Sequence, residues 1–101
     1  MEPTSLRFAR IARALAEAAR AQGLRAPTFR SPPRLPGVSR SIVRRGPVVT
    51  VAVALRDRPW PAVMADMVEG VVAANRLAGV RADRVRAALW HAVAEGSGVA
   101  A

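Results

Sequence analysis

The sequence predicts an α+β fold in a single small domain, ordered helix, strand, strand, helix, helix, with a β-hairpin covered by helices. Three observations predict it. From Val49 the bulky apolar side chains fall on alternate positions (Val49, Val51, Val53, Leu55) with the small Thr50, Ala52 and Ala54 between them. That is the period of a strand with one bulky and one smooth face. After Arg56-Asp57-Arg58-Pro59 the period lengthens, and Trp60, Val63, Met64, Met67, Val68, Val71, Ala74 and Ala78 recur every three or four residues, as on an amphipathic helix. Near the N-terminus, Phe8, Ile11, Ala12, Leu15, Ala18 and Ala19 share one side of a helical wheel, opposite Arg10, Arg13, Glu17 and Arg20.

The first helix covers residues 4–23. Thr4 or Ser5 is placed to cap it by accepting a backbone N–H, and Gly23 supplies the left-handed residue that commonly ends a helix. Residues 24–37 hold four prolines, each lacking a donor and restricting the residue before it, so this stretch is expected as a linker rich in proline and arginine. Residues 38–56 form the hairpin, a basic edge strand followed by the Val49 strand, with a turn at Arg45-Gly46-Pro47.

Pro59 and Pro61 frame the start of a helix over 59–78, where a missing N–H costs nothing, and Asp57 is a candidate cap. Gly70 sits on the flank of its apolar stripe. A helical glycine costs about 1 kcal/mol against alanine, so close backbone packing is expected there. Asp66 and Glu69 fall on its solvent side. A third helix over 81–95 turns Val85, Ala88, Leu89, Ala92 and Val93 inward, and 96–101 reads as a flexible tail. A two-stranded hairpin is marginal alone in water, so the helices must cover its bulky face. The smooth face is left for solvent, a helix or a second copy.

Composition narrows the function classes. With 101 residues, 51% of them apolar but 22 of them alanine, the chain has room for one domain with a thin core. There is no cysteine, which excludes disulfides and thiolate chemistry. No apolar run approaches the roughly 20 residues of a membrane span. The N-terminus, interrupted by arginine every few positions, is no secretory signal, and a cytoplasmic protein is expected. No glycine-rich phosphate loop occurs. His91 is the single histidine, with no serine or cysteine arrangement to activate, and two exposed carboxylates without a third ligand rarely hold a metal. No cofactor, no metal and no catalytic residue is expected, and the protein is read as a non-enzyme.

Charge is the strongest signal. The net charge of +9 is carried entirely by arginine. Residues 1–46 hold ten arginines against two glutamates, a net of +8; residues 47–101 hold six against five acids, a net of +1. Arginine and alanine codons are both GC-rich, so a GC-rich genome is the alternative source of part of this basicity, and the asymmetry is weighed against that bias. Guanidinium groups bind phosphate bidentately and displace counterions from nucleic acid. Arg10, Arg13, Arg20, Arg25, Arg30, Arg34, Arg40, Arg44 and Arg45 are therefore expected as contacts to DNA, RNA or another polyanion. Phe29 among them is the candidate stacking residue for a single strand.

The alternative is a protein-interaction module, a homodimer or a subunit of a larger assembly. Trp90 lies about 100° off the inward stripe of its helix, where tryptophan often marks an interface. Pro33 and Pro36 form a PxxP spacing suited to polyproline recognition.

Arg58-Pro59, leading from a strand into a helix, and the order of elements from about Leu6 to Val93 resemble the early part of a type II KH domain, an RNA-binding fold. The GxxG loop with which KH domains clamp a nucleic-acid backbone is absent, Gly79 standing alone, and so is the closing strand. What the resemblance implies is the order of elements, and fold alone does not assign function.

Overall fold

A computed structural model describes residues 2–96. Three helices, α1 (Thr4–Ala21), α2 (Trp60–Ala74) and α3 (Gly79–Gly96), pack together on one face of a three-stranded mixed sheet of β1 (Thr28–Arg30), β2 (Arg40–Arg45) and β3 (Val48–Val53), with α2 directly against β2 and β3. The expected α+β order is kept, with one strand more. The third strand precedes the hairpin rather than following α3. The sheet order is β1-β3-β2: β2 runs antiparallel to β3, and β1 runs parallel to it.

The bulky face of β3 makes the core. Val49, Val51 and Val53 are buried, and Val51 and Val53 meet Phe8, Ile11 and Leu15 of α1, Met67 and Val71 of α2, and Leu89 and Val93 of α3 in one apolar cluster. Fully burying each such side chain contributes about 1.5–3 kcal/mol before entropy is counted. Gly70 lies at the closest approach of α2 to the sheet. A Cβ built there would stand 2.6 Å from Cγ1 of Val51, so only glycine admits this contact.

The segment 24–37 is more than a linker. Pro27 holds the chain extended, and Thr28, Phe29 and Arg30 then pair with Thr50, Val51 and Ala52. Phe29, on the inward side with Val51, sets its ring edge-on to Phe8 at 6.4 Å and 85°. The ladder continues irregularly, Leu55 donating to the Pro32 carbonyl and Arg56 to that of Pro33. Three residues between prolines are too few to carry a readable alternation.

At the hairpin, Arg45 pairs with Val48 across the two-residue turn Gly46-Pro47. Gly46 has φ +57°, and proline holds φ near −65°, roughly the sign pattern of a II′ turn matched to strand twist.

Several boundaries shift for identifiable reasons. Pro3 precedes α1 and accepts the first bond, from the Arg7 N–H, so Thr4 is already helical and neither Thr4 nor Ser5 caps by its side chain. Pro59 likewise takes the cap position of α2, and Asp57 stands apart with φ +58°. α2 ends at Ala74 rather than 78. Asn75 turns its amide Nδ2 back to the Val71 carbonyl and across to the Arg25 carbonyl, while its Oδ1 accepts from the Arg25 N–H. α3 starts at Gly79, before the expected 81, and runs to Gly96, the first residue of the expected tail; residues 97–101 lie outside those described.

Candidate polyanion-binding face

Strand parity decides what each arginine of the sheet does. On β2, Arg40, Ile42 and Arg44 stand opposite Val53, Val51 and Val49 and so face the helices, whereas Ser41, Val43 and Arg45 stand opposite Ala52, Thr50 and Val48 and face away. Two expected phosphate ligands are thereby turned inward. Arg44 donates to the carbonyls of Ala73 and Ala74, at 2.9 and 3.1 Å, and so satisfies the C-terminus of α2. Arg40 reaches Asp66 at 2.7 Å.

Asp66, expected on the solvent side of its helix, is 7% exposed. The core is thin enough that α2 buries most of its circumference, and Arg40 and Arg58 make the burial tolerable by pairing with both carboxylate oxygens. Arg58 also donates to the carbonyls of Ala54 and Ala62, locking the end of the sheet to the first turn of α2. Burial pushes the Asp66 carboxyl up, but hydrogen bonds from Arg58, Arg40 and Ser39 together outweigh it and hold the group below the usual carboxylate range. Its helical neighbour Glu69 pairs with Arg86 of α3 at 2.7 Å.

Two more of the expected arginines have internal partners. Arg10 makes a two-pronged pair with Glu2, at 2.6 and 3.0 Å. Arg25 donates to the Pro47 carbonyl at 3.1 Å, tying the end of α1 to the hairpin turn. Phe29, the expected stacking ring, is turned into the molecule against Phe8. Arg7, which composition alone did not single out, lies over the Trp60 ring at 4.6 Å, a cation–π contact that joins α1 to α2.

Arg13, Arg20, Arg30, Arg34 and Arg45 are exposed and have no ion pair among the described residues. They do not form one continuous patch. Arg13 and Arg20 stand two turns apart on the outward side of α1, in the helical layer, while Arg30 and Arg45 occupy the sheet face that the helices leave bare. Arg34 lies in the loop that follows β1.

The bare sheet face has a simple layout. Arg30 of β1 lies beside Ala52 and Arg45 of β2 beside Val48, so the two guanidinium-bearing residues sit at opposite corners. Strand geometry separates them by about 13 Å along the strands and about 10 Å across them. Between them a shallow depression of about 290 Å³ is floored by Val43, Val48, Thr50 and Ala52. No carboxylate occurs on any of the three strands, and residues 18–56 contain eight arginines and no acid. The floor valines were not singled out in the sequence, where only the smooth positions Thr50 and Ala52 pointed to this face. The parity of Val43 relative to Ile42 would have revealed it, had the register been known.

Trp90, on α3 one turn beyond Arg86, remains 36% exposed, and Pro33 and Pro36 are exposed in the loop after β1. Among the described residues no helix is long and apolar enough to cross a membrane, and no group of three or more histidine or acidic side chains is placed to hold a metal. Comparison with protein-family models, curated proteins and solved structures finds no match.

Proposed function

We propose that this is a small cytoplasmic, non-enzymatic accessory protein that binds nucleic acid or another polyanion through guanidinium groups of its N-terminal half, chiefly Arg30 and Arg45. The observation that carries the reading is the bare sheet face, whose strands hold no carboxylate and which is bounded by two cations that make no ion pair among the described residues. Arginine's planar guanidinium offers bidentate donors to a phosphate or carboxylate, and its preorganised fork loses less freedom per hydrogen bond formed than an ammonium does. A non-enzymatic role fits the paired state of Asp66 and Glu69, whose oxygens are engaged by Arg40, Arg58 and Arg86.

The test is a titration of the full chain with a single-stranded oligonucleotide, polyphosphate and polyglutamate over a range of salt. For the oligonucleotide, each phosphate contact contributes a slope of about −0.7 in log K against log salt. Arg30→Gln with Arg45→Gln should weaken binding far more than Arg13→Gln with Arg20→Gln. Absence of binding to all three polyanions at low salt, or equal loss from both pairs, overturns the reading.

A second reading, a protein-interaction module, rests on the exposed Trp90 of α3. If it holds, Trp90→Ala lowers the mass in solution by light scattering; an unchanged monomer mass in both chains removes the homodimer.

A further inference from the structure

The bare sheet face has an apolar floor as well as charged corners. Val43 and Val48 are 47% and 52% exposed, and both line the depression between Arg30 and Arg45. Isolated surface valines need no explanation, but here two of them, with Thr50 and Ala52, form one small surface bounded by cations. A ligand that used only the corners would leave this floor wet.

Three kinds of occupant differ in how they meet the face. A nucleic acid gains from stacking its bases on aromatic rings, and the face has none. Phe8 is in the core, Phe29 is turned to it, and Trp60 and Trp90 belong to α2 and α3. A second copy docking face to face brings arginines against a surface without a carboxylate, in a chain already carrying +9. An extended polypeptide fits both features. Its side chains alternate in direction, so an acid, an aliphatic residue and a second acid at every other position point to one side and span about 13 Å. That matches the separation of Arg30 and Arg45 along the strands, and the about 10 Å between them across the sheet is within the combined reach of the two long side chains leaning toward β3.

We propose that the bare sheet face is the docking surface for an extended acidic segment of a partner protein, its carboxylates paired by Arg30 and Arg45 and its central aliphatic side chain seated on Val43 and Val48. This rests on the polyanion reading and names the polyanion's class. The arginines supply attraction and register, and the valines discriminate among acidic chains.

The experiment uses the full chain and three labelled probes of equal charge: a peptide with the pattern acid, Ser, Leu, Ser, acid; the same peptide with serine in place of leucine; and an oligothymidylate. The leucine peptide should bind at least about tenfold more tightly than its serine counterpart, as expected for burial of one aliphatic side chain. Val43→Thr with Val48→Thr keeps residues that favour strands, and circular dichroism checks the fold. These changes should abolish that tenfold preference and leave the weaker, charge-driven affinity in place. Equal binding of the two peptides overturns the proposal. So does tighter, Arg30- and Arg45-dependent binding of the oligothymidylate, which would leave the polyanion reading standing. If no probe binds at low salt, both fall.

Discussion

Asp66 is the residue on which the guanidinium groups of Arg40 and Arg58 converge, and its pH behaviour follows from that position. Hydrogen bonds hold its folded pKa below the unfolded value near 3.9. Its contribution to stability is therefore complete above that value and is lost as the pH falls through the lower, folded pKa. Denaturant midpoints measured down the acid range should drop steeply below about pH 4, and Asp66→Asn should lack that component. At neutral pH the same change leaves two facing guanidiniums and should cost about 3 kcal/mol, the lower edge for a broken buried pair. The lower edge is chosen because the Arg40 side chain is 39% exposed and therefore screened. Identical acid profiles for both chains would remove Asp66 from the transition.

A second residue carries strain that chemistry can relieve. Both α1 and α2 end in the same motif, in which the second residue after the helix has a left-handed conformation and the two following N–H groups return to the last turn: Gly23 and Leu24 to Arg20 and Ala19, Arg76 and Leu77 to Ala73 and Val72. In α1 the left-handed position is glycine, with φ +72°. In α2 it is Arg76, with φ +52° and an exposed side chain. Arg76→Gly should raise stability by about 0.5–1 kcal/mol, the relief of left-handed strain less the extra freedom of the unfolded chain. A lower melting temperature in a calorimetric scan would refute the assignment.

Among the elements, legibility in the sequence followed the length of the periodic signal. α1, α2 and the β3 strand could be read because each repeats its apolar spacing over several positions, and Gly70 could be read as a close contact because nothing else justifies glycine in mid-helix. β1 could not, because three residues between prolines carry no period and its pairing to β3 is decided by contacts more than twenty residues away. The inward or outward sense of the β2 arginines was equally hidden, since adjacent Ile42 and Val43 give no parity of their own. The burial of Asp66 was missed for a related reason: a wheel places it opposite the stripe, but α2 is covered on more than one side. The α2–β3 contact itself makes a prediction. Gly70→Ala gains up to about 1 kcal/mol of helix propensity. It also forces a methyl against Val51, which is stiff and fully buried, and such overpacking costs about 1–3 kcal/mol. A net loss is expected, and combining Gly70→Ala with Val51→Ala should recover part of it, so a double-mutant cycle should give a favourable coupling. Strictly additive effects would place Gly70 away from Val51.

At the scale of the whole molecule, the arginines divide into those that hold the fold and those that the fold leaves unused. Arg40, Arg44 and Arg58 tie sheet to helix, and Arg25 ties α1 to the hairpin; Arg30 and Arg45 contribute no ion pair among the described residues while standing in a chain of net charge +9. Unpaired like charge on a compact body opposes folding by self-repulsion. If Arg30 and Arg45 are present for a ligand, neutralising them should stabilise the isolated chain even as it abolishes polyanion binding, the trade expected of functional residues. Arg30→Gln with Arg45→Gln should therefore raise the melting temperature in dilute buffer by a few degrees, since about 0.5 kcal/mol shifts a domain of this size by roughly 2–4 °C. The gain should fade in molar salt, where the screening length falls to about 3 Å. The same change at Arg40 and Arg58 should lower the melting temperature at every salt concentration, because it leaves the Asp66 carboxylate buried without a cationic partner. Loss of stability in the Arg30 and Arg45 variant would mean that these two side chains also hold the fold together, and the bare face would then lose its claim to be kept for a partner.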